Sequence, residues 1–237
     1  MPTFARSPVY RLLVRLRTRL IGALASYLAQ PVKHYSPATN ADPQSLSAVL
    51  HHGDVLLTEG NTRVAALVKR ITQSTWSHVS MYVGPLEKGP DPLCIVEADI
   101  AAGVRPVRLS ELKGLHVRVL RPTGLNEKDR SRLAEWVVSR IGGEYDLAHA
   151  LALARKFLRL PARLPPSHTI AESATRFICS SLLAHAFALV GTPILPVQMS
   201  VSAARTVDHR YLIPADFERA SLFEVVNPTD DVQRSSK

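Results

Sequence analysis

From Ile178 to Val190 the chain is an apolar helical run with a cysteine, Cys179, at its head, and it stops at Gly191-Thr192-Pro193. Glycine just past the last turn with proline two positions later is a usual C-terminal helix signal. Such a run needs a core to sit in, and 237 residues with 46% hydrophobic content are enough to bury one. The cysteine adds a chemical constraint. A thiol in the first turn lies at the positive end of the helix dipole, which favours the thiolate, the form that attacks carbonyl carbon. A base elsewhere in the chain would make this placement a nucleophilic site.

The alternating segment Ser77-His78-Val79-Ser80-Met81-Tyr82-Val83-Gly84 reads as a strand. Its period of two sends Val79, Met81 and Val83 to a core and His78, Ser80 and Tyr82 to the other face. His78 is the candidate base. The next strand, 93–98, puts Leu93, Ile95 and Glu97 on one face and Cys94 and Val96 on the other. A carboxylate inside an apolar strand is costly without a partner. Glu97 is therefore the candidate to orient His78, since a carboxylate accepting from an imidazole N–H fixes its tautomer. Cys94 reads as a small buried hydrophobe. Tyr82 and Ser80, on the His78 face, together with Tyr145 and Ser180, are candidates to line a substrate pocket.

The remaining elements fit around these. Strands are predicted at 53–58, 103–109, 116–120 and 222–226, and helices at 62–72, 126–141 and 147–158. The longer helix should carry Leu133, Trp136, Val137 and Ile141 inward. Short connections throughout predict an α+β domain with an antiparallel sheet packed against helices. Residues 155–175 are basic and proline-rich and read as a loop or lid ahead of the cysteine helix.

The N-terminal part is different in kind. Residues 4–30 form a leucine stripe with arginines over much of the rest. Arg6, Arg11, Arg15, Arg17, Arg19 and Lys33 precede the first acidic residue, Asp42, and carry most of the net charge of +9. An amphipathic basic helix of this kind lies on an anionic membrane surface or packs on its own domain with a solvated face. No nucleic-acid partner is expected, because aromatic stacking residues are sparse. No run approaches the roughly 18 to 20 apolar residues that span a bilayer. Arginines alternate with leucines rather than preceding them as a block, which disfavours an export signal. The expected location is the cytoplasm, with the arm allowing attachment to the inner face of a membrane. The expected organisation is a helix and linker over 1–44, one domain over 45–226, and a disordered tail over 227–237. Two cysteines are too few for a disulfide framework or a cysteine zinc site, and neither a metal nor another cofactor is expected.

Taken in order, Gly53-Asp54-Val55-Leu56-Leu57, Ser77-His78-Val79, Val96-Glu97-Ala98, Tyr145-Asp146 and Ile178-Cys179-Ser180 resemble the landmarks of the circularly permuted papain-like hydrolases of the NlpC type. The resemblance is to the YiiX/YebB-like group, in which the histidine strand precedes the cysteine helix. The closing Ile213-Pro214-Ala215-Asp216-Phe217 resembles the group's C-terminal pattern, so the likeness spans about residues 50–226. It implies Cys179 as nucleophile, His78 as base and Glu97 as the orienting acid. It also implies a lipid or peptide substrate with an amide or ester bond, attacked to give a thioester. Two positions depart from the pattern: Ile178 stands where an aromatic residue is common, and Ser181 where a glutamate is. The arm and the basic segment favour a membrane-proximal lipid substrate. A cell-wall peptide amidase, or a noncatalytic module of the same fold, are the alternatives.

Overall fold

The computed structural model describes residues 19, 22–160, 176–194 and 212–226. Most of the basic arm, the greater part of the 155–175 segment and the 227–237 tail lie outside the described residues.

The domain is built from α1 (Pro43–Val49), β1 (Val55–Glu59), α2 (Arg63–Thr72), β2 (His78–Tyr82), β3 (Leu93–Asp99), β4 (Gly103–Arg108), a 3-10 turn (Leu109–Leu112), β5 (His116–Pro122), α3 (Glu127–Val138), β6 (Glu144–Tyr145), α4 (Leu147–Phe157), β7 (Arg176–Phe177), α5 (Cys179–Leu189), α6 (Pro214–Arg219) and β8 (Phe223–Val226). Six strands form one sheet in the order β4-β3-β2-β1-β5-β8, with every neighbouring pair antiparallel. The two short strands β6 and β7 pair parallel beside it.

Strand alternation divides the core in two. Val55, Leu57, Val79, Met81, Val96 and Leu120 pack with Leu182, Leu183 and Phe187 of α5 and Leu133 and Val137 of α3. Their neighbours Leu56, Ile95, Val107 and Val119 pack on the other side with Leu46 and Val49 of α1 and with Leu109 and Leu112. Each side chain thus follows from its parity along the strand. The helix α5 is buried over most of its surface, as its apolar run requires.

One residue breaks the parity. Cys94 shares a cluster with Ile95 rather than with Val96, because the β3–β4 register shifts between Leu93 and Ile95. It remains a buried free thiol, and burial, the largest influence, raises it above its ordinary value.

Other expectations are adjusted. Helix α3 ends at Val138, so Ile141 falls in the following turn and is exposed. The stretch 31–43 lacks periodicity, yet it lies along the domain instead of hanging as a free linker. Val32 N–H donates to Asn61 O, Ala41 N–H to Leu115 O, and Tyr35 Oη to Glu59 O. Asp42 then caps α1, which begins at Pro43.

The Gly53-Asp54 turn is held by a buried ion pair. Asp54 has no exposed surface, and Arg121 Nη2 reaches Oδ2 at 2.8 Å while Nε reaches Oδ1 at 3.1 Å. The His51 N–H donates to the same carboxylate, and the Asp54 carbonyl accepts from Tyr82 N–H. This pins β1, β2 and β5 at the end of the sheet remote from His78.

Candidate active site

Cys179 is the first residue of α5 and His78 the first of β2. They therefore meet at the rim of the sheet, where the helix begins. Ile178, the residue before the helix, has no side-chain acceptor, and the Ser181 hydroxyl does its work. Ser181 Oγ accepts the Ile178 N–H at 3.0 Å and donates to the Ile178 carbonyl at 3.1 Å. The start of the helix is thereby fixed without a group that would crowd Cys179.

The β2–β3 pairing brings His78 and Glu97 together. Met81 pairs with Val96 and Tyr82 with Ile95, so continuing the antiparallel register sets Ser80 opposite Glu97 and His78 diagonal to it on the same face. The ring nitrogen Nε2 lies 2.8 Å from Glu97 Oε2. That leaves Nδ1 to face Cys179, which lines the same cavity and whose charge acts on the ring. His78 and Glu97 are only 25% and 13% exposed at their side chains.

Arg105 completes the arrangement, and nothing in the sequence reading had singled it out. It pairs directly with Glu97 across β3 and β4. Its Nε and Nη2 reach Glu97 Oε1 at 3.0 and 2.8 Å, and Nη1 lies 3.4 Å from Glu111 Oε2. Glu97 is thus held between an imidazole on one oxygen and a guanidinium on the other. Burial works against its charge, but His78 and then Arg105 outweigh that and keep it below the usual carboxylate range. For His78, burial likewise opposes the charged form. Glu97 and Cys179 overcome it and raise the ring well above the ordinary histidine value.

These groups open into a cavity of about 300 Å³. One wall is α2, through Val64, Val68 and Ile71; the facing wall is α4, through Leu153, Ala154 and Phe157. Cys179, His78, Glu97 and Arg105 line it as well, with Tyr145 and Ile178. Tyr145 is aligned with Phe177 by the β6–β7 pair. Burial, followed by the charges of Cys179, Asp99 and Asp146, raises its hydroxyl above the ordinary tyrosine range.

The other pocket candidates separate. Ser180 borders the cavity, but its Oγ donates to the Leu212 carbonyl at 2.6 Å and ties α5 to the segment entering α6. Ser80 is buried within the sheet and does not line the cavity. Tyr82 does not line it either; its ring meets His52 edge-on, with centroids 6.1 Å apart. The shared face was read correctly, but four residues along a strand carry Tyr82 about 13 Å from His78.

Among known proteins, a family model described as permuted papain-like amidase enzyme, YaeF/YiiX, C92 family, matches residues 49–157. That segment contains His78, Glu97, Arg105 and Tyr145 and ends before Cys179. Among solved structures, the chain resembles the crystal structure of metalloprotein YiiX from Escherichia coli O157:H7. The two share 16% identity with a TM-score of 0.50, over 75% of this chain and 96% of that one. A search of curated proteins finds no match. The family model and the solved fold agree on the YiiX-like group of permuted papain-like proteins, the group that the sequence landmarks resemble. YiiX is described as a metalloprotein. In this chain, among the described residues, no group of three or more His, Cys, Asp and Glu side chains converges as a metal site would need. Glu97, the acid hydrogen-bonded to His78, is also held by Arg105.

Proposed function

We propose that this protein is a thiol hydrolase that cleaves an amide or ester bond of a substrate bearing an apolar acyl chain, with Cys179 as nucleophile, His78 as base and Glu97 as its orienting acid. The observation that carries the reading is that Cys179 and the hydrogen-bonded pair His78–Glu97 line one cavity, a slot walled by Val64, Val68, Ile71, Leu153 and Phe157. The chemistry follows from those positions. His78 takes the Cys179 proton, and the thiolate adds to the carbonyl carbon. The oxyanion formed meets the Cys179 backbone N–H at the positive end of α5, a donor worth about 3 kcal/mol in such sites. Protonated His78 then gives its proton to the departing amine or alcohol as the tetrahedral species collapses to a thioester. Water, deprotonated by His78, adds to the thioester and releases the acid and the thiol. An amine or alcohol in place of water would make the same centre an acyltransferase.

The apolar walls favour an acyl group over a cell-wall peptide, whose polar backbone would lose its hydrogen bonds to water there. Rates of hydrolysis of chromogenic acyl esters and acyl anilides of increasing chain length provide the test. The expected result is a preference for longer chains, retained in Cys94→Ser and lost in Cys179→Ala. In His78→Ala the rate should fall by about a hundredfold or more. Hydrolysis that survives Cys179→Ala would overturn the reading.

A further inference from the structure

The two helices that wall the slot share a composition that the slot does not explain. Across 60–72 and 147–160 there is no Asp or Glu, while Arg63, Lys69, Arg70, Arg155, Lys156 and Arg159 supply six positive charges. Among them, Lys69 pairs with Glu59 at 2.7 Å and Arg63 lies over the Tyr27 ring at 4.0 Å. Arg70, Arg155, Lys156 and Arg159 are exposed.

Large apolar side chains stand among them. Leu67 is 47% exposed on α2, while Leu151, Leu158 and Leu160 are 52%, 54% and 53% exposed on and just after α4. Leu151, Arg155 and Leu158 follow one another at helical spacing, so leucine and arginine share one outward stripe. Phe157 joins the inside to the outside, since it lines the cavity and is still 40% exposed. At Phe157 the lining of the slot reaches the exposed surface of α4, beside Leu158.

We propose that this face, formed by Leu67, Leu151, Phe157 and Leu158 with Arg70, Arg155 and Arg159, docks the mouth of the slot on an anionic lipid bilayer. Leucine side chains reach the acyl boundary while the arginines meet lipid phosphates in the plane above it. The absence of any carboxylate on either helix suits a surface of uniform negative charge. The continuity through Phe157 gives an acyl chain a path into the slot that avoids water. That purpose rests on the acyl-substrate reading; the docking itself does not.

The test is co-sedimentation of the full chain with phosphatidylcholine vesicles, with and without phosphatidylglycerol. Binding is expected to need phosphatidylglycerol and to weaken with salt. Leu151→Gln/Leu158→Gln should lower partitioning about tenfold or more, and Arg155→Gln/Arg159→Gln should lower it by a similar factor. Neither pair lines the cavity, so iodoacetamide should still alkylate Cys179 in both, which reports an intact fold. A wild-type chain that ignores anionic vesicles, or two folded double variants that bind as well as wild type, would overturn the proposal. So would concentration-dependent self-association that the leucine variant abolishes, since that would assign the face to a second copy. Cys179→Ala should bind vesicles normally while losing hydrolysis. A wild-type chain that hydrolyses a soluble ester yet does not bind anionic vesicles would sink the docking and leave the chemistry standing.

Discussion

His78 faces one carboxylate and one thiol, and behind the carboxylate stands an arginine that pulls the other way. This arrangement predicts how reactivity depends on pH. Acylation needs imidazolium to protonate the departing amine or alcohol, so the alkaline limb of hydrolysis follows loss of the His78 proton. Glu97→Gln removes the negative charge that raises His78, and the limb should move to lower pH. Arg105→Met removes the cation that competes for Glu97, and the limb should move to higher pH. The pH dependence of kcat/KM for an acyl anilide checks both; a shift in the same direction for the two variants would contradict the arrangement. The stability signs differ as well. His78, raised in the fold, contributes fully below the ordinary histidine value of 6.5 and loses its contribution as pH rises through its higher folded value. Glu97, lowered in the fold, contributes above the ordinary value of 4.5 and loses it as pH falls through its folded value.

At the scale of the element, α5 depends on a single hydroxyl for its start. Ser181 closes a two-bond loop on Ile178. Ser181→Ala should cost about 1 kcal/mol of stability, measured by urea unfolding. It should also slow Cys179 alkylation more than that loss implies, because the first turn would no longer be held. A variant with unchanged unfolding and alkylation would show that packing alone fixes the helix start. Element boundaries were legible in this sequence wherever a cap or a strict period marked them. Thr62 and Asn126 cap α2 and α3 through their side chains, and β2, His78–Tyr82, lies within the alternating segment 77–84. Boundaries set by distant contacts were not legible. The strands β6 and β7 have two residues each and exist because they pair with one another, some thirty residues apart in sequence.

At the scale of the whole molecule, the slot exists because α2 and α4 face one another across the mouth of the site. Ala154 lines it on the α4 side. Ala154→Phe should block the slot, lowering kcat/KM for long-chain substrates by about tenfold or more while sparing short ones. Michaelis–Menten kinetics on an acyl-ester series would read this. Equal loss at every chain length would mean that the substitution disturbs Cys179 itself. The apolar stripe of α2 is visible in the sequence, and by pattern it belongs in a core. Yet among its residues only Ala65 is fully buried, and Val64, Val68 and Ile71 border open space instead. Periodicity reports which side of a helix avoids water but not what occupies the far side.

The sequence by itself determined the local and periodic facts. A cysteine heads an apolar helix that must be buried, a histidine and a glutamate fall on predictable faces of two successive strands, and a short-connected antiparallel sheet carries them. These follow from rules that act over a few residues, namely dipole, period and turn. Tertiary structure alone decided that Arg105 lies across from Glu97, that Cys94 slips to the other face through a bulge, that Tyr82 points into another neighbourhood, and that two helices hold an apolar slot open beside Cys179. Each of those depends on strand register or on the docking of segments far apart in the chain. Both are fixed by the packing of the whole domain, which no local pattern encodes.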